Sequence, residues 1–106
     1  MDDIELLEMA AKAAGYKIEW VRNSGCFYRC EEEIGREAFD SLDDNNDALQ
    51  LAADLDLDIA WFPKQQYVSV GRRGVGENIA WVDESDRAGA LRRAITVAAA
   101  KIGNQI

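Results

Sequence analysis

Asp43, Asn45 and Asp47 stand at alternate positions in LDDNNDALQ, the spacing at which a calcium loop supplies its first three oxygen ligands. Such a loop needs Gly at its sixth position for the sharp turn and a bidentate Glu at its twelfth. Here those positions hold Ala48 and Asp54, and a helix beginning at Asp47 cannot wrap an ion. The same residue types suit a different task. Asn46 or Asp44 can accept hydrogen bonds from the free N–H groups of a first helical turn, while neighbouring carboxylates meet the positive end of its dipole. Glu31, Glu32, Glu33, Glu37, Asp40 and Asp43 exceed what capping requires. With Asp44 and Asp47 they make either a solvated acidic loop or a surface that engages a cationic groove on a partner.

Other constellations carry less chemistry. GRRGVG, residues 71–76, is glycine-rich, but a phosphate loop sits between a strand and a helix and carries a Lys-Ser/Thr pair. This stretch lies between two expected strands, so it reads as a hairpin turn whose glycines supply positive φ. Arg72 and Arg73 at its tip either touch a partner or keep the tip soluble. Cys26 and Cys30 share one face of an expected strand, roughly 13 Å apart at ~3.3 Å per residue. A disulfide requires less than about 7 Å, so both are expected to be small core residues. The chain has no histidine, which removes the commonest general base and transition-metal ligand together. Ser24, Ser41, Ser69 and Ser85 have no nucleophile motif around them. Arg92 and Arg93 point 100° apart on a helix and are expected to pair with acidic neighbours. Trp20, Trp61 and Trp81 read as sheet-face core, with an aromatic ligand floor as the alternative. No catalytic activity, cofactor or metal is expected.

Positioning these residues falls to a chain of 106 residues, read as a single domain over 1–106. Hydrophobic residues make up 48% and charged residues 30%, enough for a core and for solubility. The net charge is −8, and it is uneven: residues 1–60 hold 16 acidic and 5 basic residues, residues 61–106 hold 4 and 7. An acidic total argues against direct nucleic-acid binding, which needs cations opposite phosphates, and permits a basic protein partner. No apolar run approaches the ~20 residues of a membrane span. The acidic, amphipathic N-terminus is unlike a signal peptide, so a cytoplasmic location is expected.

Residues 2–14 have helical periodicity, with Ile4, Leu6, Leu7, Ala10, Ala11, Ala13 and Ala14 on one side. Asp2 and Asp3 suit its start and Gly15 its stop. YKIEWVRN and CFYRCEE alternate around Asn23-Ser24-Gly25 and predict a hairpin. EEEIGREAFDSLDD reads as a long connection. Residues 47–55 predict a second helix burying Leu49, Leu51, Ala52, Ala53 and Leu55, with Asp47 facing away. LDIAWF is apolar on both faces apart from Asp58, which predicts a central strand. QYVSVGR and IAWVD predict a second hairpin. Ser85 is the expected cap of a last helix, 86–102, with a seam of Ala88, Leu91, Ile95, Ala98 and Ile102 and with Thr96 opposite. The expected order is α-β-β-α-β-β-β-α. It predicts an α+β fold, a three-layer α/β/α sandwich around a mainly antiparallel sheet, without an internal repeat.

FDSLDDNNDALQLA and ALRRAITVAAAKIG together resemble a family of small uncharacterised proteins of tailed bacteriophages and prophages, the phage α-β-α sandwich domain. The resemblance covers residues 39–53 and 86–103; Phe39 and Ser41 stand where that family usually has Trp and Pro. It implies an accessory protein of the infected bacterial cytoplasm and carries no catalytic residues with it. The expected function is therefore non-enzymatic: binding a host or phage protein with a basic surface through residues 31–47, in the sharpest form inhibiting a host defence or nucleic-acid enzyme. The alternative is a small-ligand module or a homo-oligomer packed through Ala10, Ala13, Ala14 and Ala94, Ala98, Ala99.

Overall fold

A computed structural model describes residues 1–31 and 35–106. Their order is α1 (Asp3–Ala14), β1 (Ile18–Val21), β2 (Cys26–Glu31), β3 (Gly35–Phe39), α2 (Asn45–Asp54), β4 (Asp58–Phe62), β5 (Tyr67–Arg72), β6 (Val75–Ala80), a 3-10 turn (Glu84–Asp86) and α3 (Arg87–Asn104). The class is α+β, as expected, but the strands form two antiparallel three-stranded sheets, β1-β2-β3 and β4-β5-β6, where the sequence reading placed one sheet. The order is likewise corrected, because β3 pairs with β2 inside the segment read as a connection. Among the described residues no helix is long and apolar enough to cross a membrane.

α1 follows its caps. The Asp2 side chain accepts from the Glu5 N–H at 2.8 Å, and Gly15 ends the helix at φ 74°, where a β-carbon is strained. Leu6, Leu7, Ala10 and Ala11 are buried. α2 starts two residues earlier than expected, with Asp44 accepting from the Asp47 N–H. Its buried stripe is Ala48, Leu51, Ala52 and Leu55, spaced i, i+3, i+4 and i+7. Leu49 lies 100° from Ala48 and is exposed, as is Ala53, contrary to expectation.

α3 corrects the sequence reading more widely. Asp83 accepts from the N–H and hydroxyl of Ser85 and caps the 3-10 turn, so Ser85 lies inside that turn and α3 begins at Arg87, its N-cap residue Asp86 making no side-chain capping bond. The helix packs on α1, α2, β5 and β6 together, which leaves little of its circumference to solvent. Thr96 is therefore buried alongside Ala94, Ile95, Ala98, Ala99 and Ile102, while Ala88 is exposed. At Gly103 a β-carbon would stand 2.0 Å from the Met9 carbonyl oxygen. Only glycine lets α1 and α3 approach this closely. The alanines Ala10, Ala94, Ala98 and Ala99 are buried inside the chain.

In the second sheet β5 is central, with Val68 and Val70 buried, and β4 is an edge strand rather than the expected central one. Its apolar side chains are covered in part by other side chains: Tyr67 stacks on Phe62, and Arg87 and Trp81 lie against Trp61. Arg73 and Gly74 both have positive φ between β5 and β6, the backbone of a two-residue hairpin loop. In the first sheet Phe27 and Phe39 face each other and are buried. Cys26 and Cys30 are free and only half-buried on the strand that buries Phe27, so they are not core residues.

The chain also contains a repeat that its sequence conceals. Each sheet is a meander followed by a helix, β1-β2-β3-α2 and β4-β5-β6-α3. The first hairpins share one register: Ile18-Glu19-Trp20-Val21 ends opposite Phe27 and Cys26, and Ile59-Ala60-Trp61-Phe62 ends opposite Val68 and Tyr67. One hydrophobic cluster draws on all three helices and both sheets.

Candidate functional site

A half-open groove of about 490 Å³ lies where α1, the β1–β2 hairpin, the turn before α2 and the start of α3 meet. Its apolar floor is Ile4, Leu7, Trp20, Phe27, Phe39 and Leu42; its polar members are Asp3, Asp40, Asp43 and Arg93. Trp20 is 42% exposed and Ile4 45% exposed, both well placed to lose water to a bound group. The Trp20 ring is held edge-on to buried Phe27 at 5.0 Å between centroids, which fixes its orientation.

The acidic rim is built by backbone hydrogen bonds. The Asp40 carboxylate accepts from the Leu42 N–H at 3.1 Å, and the Asp40 N–H donates to Asp47 at 2.9 Å. Two side chains of α3 fasten this turn. Arg92 donates to the Leu42 carbonyl at 3.0 Å and to Asn45 at 2.8 Å. Thr96 and Ser41, both fully buried, share a hydrogen bond of 2.8 Å. Arg93 pairs with Asp3 across the groove at 3.3 Å. That leaves Asp40 and Asp43 as rim charges without a cationic partner among the described residues.

The sequence-derived acidic set is thus divided. Asp40 and Asp43 line the groove. Asp44 caps α2. Asp47, expected to face away, is half-buried, and burial pushes its carboxyl above the usual aspartate range. The Asp40 amide pulls the other way, while Asp44, Asp40 and Glu37 add repulsion. Glu37 is exposed on β3. Glu31 accepts twice from Arg29, each at 3.0 Å, which holds its carboxyl low. Arg29 in turn stacks 3.5 Å over the Tyr16 ring. These contacts give Glu31 a structural task. Glu32 and Glu33 lie outside the described residues. At the other expected site, Arg72 is not free: it donates to the Leu55 carbonyl at 2.7 Å and satisfies the end of α2. Arg73 is exposed at the hairpin tip. Asn45 and Asp47, two of the three calcium-loop positions, spend oxygens on Arg92 and on the Asp40 amide.

Sequence reasoning missed Ile4, Leu7 and Arg93 as neighbours of Trp20. Nothing local signals it, because two helices, a hairpin and a turn distant in sequence meet there. No family model, curated protein or solved structure matches the chain.

Proposed function

We propose that the chain is a non-enzymatic binding module whose working surface is the Trp20 groove, and that it holds a basic, partly apolar segment of a protein partner. The observation that carries this is the pairing of an exposed aromatic and aliphatic floor with an acidic rim. Trp20 and Ile4 offer area to bury, while Asp40 and Asp43 hold negative charge beside it. Apolar contact supplies affinity, and the surplus charge of the acidic half speeds encounter with a cationic surface. In the setting the family resemblance implies, an infected bacterial cytoplasm, the partner is a host or phage protein, and occluding the basic surface of a host defence or nucleic-acid enzyme is the use we assign to it.

The test is a calorimetric titration of the whole chain with a twelve-residue peptide alternating Lys and Leu. Binding that weakens with added salt and with the D40N/D43N double substitution supports the reading; Asn retains the oxygen that accepts from Leu42. Absence of binding at low salt, or binding indifferent to D40N/D43N, refutes it. A second reading draws on the groove volume, which falls within the roughly 300–1,000 Å³ of small-ligand sites. A small organic cation that raises Tm and displaces the peptide would favour it.

A further inference from the structure

The two halves of the chain carry equivalent tryptophans, and one of them already has a cation on it. Trp20 in β1 faces Phe27, and Trp61 in β4 faces Val68, at the same step of their hairpins. Each follows an isoleucine two residues earlier, and the connections 22–25 and 63–66 are of equal length. Their exposures agree closely, 42% and 39%. Over Trp61 lies the guanidinium of Arg87, 4.6 Å from the ring centroid and 5.1 Å from that of Trp81.

Arg87 is the first residue of α3, the helix that follows the second meander. The corresponding first residue of α2 is Asn45, a neutral side chain engaged by Arg92. Among the described residues no cation stacks on Trp20. Arg93, the cation of the groove, is held by Asp3. The first half therefore has the same exposed indole without the arginine, and Asp40 and Asp43 line the groove that holds it.

We propose that Trp20 receives an arginine side chain from the partner protein, stacked on the indole as Arg87 stacks on Trp61, with Asp40 and Asp43 as counter-charges. This deepens the groove reading above and rests on it. The ligand group is a guanidinium rather than an ammonium for two physical reasons. A planar, weakly hydrated cation stacks on an indole face at smaller desolvation cost, and its fork of N–H groups matches carboxylate oxygens. The chain's own second half supplies the template for that geometry.

The test uses indole N–H resonances of the whole ¹⁵N-labelled chain, which has three tryptophans, with Trp20 assigned through W20F. Three capped peptides of sequence Gly-Leu-X-Leu-Gly are titrated, X being arginine, lysine or the neutral isostere citrulline. The arginine peptide is expected to move the Trp20 signal, leave Trp61 in place, and bind roughly three- to tenfold more tightly than the other two. D40N/D43N should remove most of that preference while the indole signals report an intact fold. If the arginine and lysine peptides move Trp20 with equal affinity and more tightly than citrulline, the groove stands and the arginine assignment falls. If citrulline binds as tightly as both, the acidic rim plays no part and the groove reading falls too. If the arginine peptide binds without moving Trp20, the assignment also falls. If none of the three binds, the groove reading falls with it.

Discussion

The buried hydroxyl pair Ser41–Thr96 allows a prediction whose asymmetry comes from the geometry. Thr96 Oγ1 lies 2.9 Å from the Arg92 carbonyl oxygen and donates its proton there. The 2.8 Å contact with Ser41 must then be donated by the serine. Removing Thr96 as T96V leaves the Ser41 hydroxyl fully buried without an acceptor, a desolvation cost of about 1–3 kcal/mol. Removing Ser41 as S41A leaves Thr96 still bonded to Arg92, so only one net hydrogen bond is lost, about 1 kcal/mol. The double variant has no stranded hydroxyl and should cost less than the sum of the singles by about 1 kcal/mol. Urea unfolding of the four proteins, with slopes compared to confirm similar unfolded states, gives all three quantities. An S41A cost equal to or above that of T96V, or additivity within about 0.3 kcal/mol, would refute the donor assignment. It would also remove the argument that this pair fastens the acidic turn to α3.

Three further outcomes are expected. Asp47 has its carboxyl raised by burial, so the cost of its charge is absent below the ordinary value of 3.8 and complete above the raised one. D47N keeps the acceptor for Asp40 and should raise stability near neutral pH, by less than about 1 kcal/mol for a half-solvated group, with the gain vanishing at pH 3; equal effects at both pH values would contradict this. G103A, which would add about 1 kcal/mol of stability in an ordinary helix, should instead cost about 1–3 kcal/mol through its clash with the Met9 backbone, and a stabilised variant in the same urea assay would show that the helices can part freely. R87A should lower stability by about 0.5–1 kcal/mol and make the Trp61 indole respond to the arginine peptide, whereas a silent Trp61 would break its equivalence with Trp20.

Some of this was legible in the sequence because it is encoded locally. Asp2 and Gly15 announce both ends of α1, and the Asp/Asn cluster announces the start of α2, since caps act within one turn. β3 escaped notice because only Phe39 of its five residues is buried, so an exposed edge strand shows no alternation. LDIAWF misled for the opposite reason. Trp61 and Phe62 stay exposed, with partial cover from Trp81, Arg87 and Tyr67 in place of a strand on each side, and hydropathy does not distinguish an apolar edge from a buried centre. Helix faces failed where alanine and leucine are adjacent, as at Ala48 and Leu49, because either can be the residue that points inward. The groove was hidden because it joins Ile4, Trp20, Asp43 and Arg93, which are neighbours only after α3 docks. The repeat was hidden because its units share the order of elements and the register of the first hairpin but few residues beyond Ile-x-Trp, and α3 packs on its own sheet while α2 packs on α3.

The placement of α3 has a consequence during synthesis. It is the last helix of the described chain, yet it packs on α1, α2, β5 and β6. Until it has left the ribosome, α1, α2 and the second meander lack the helix against which they pack. A nascent chain of this design cannot settle from its first residues onward; it stays sticky, open to chaperones, until α3 emerges and folding then closes in one step.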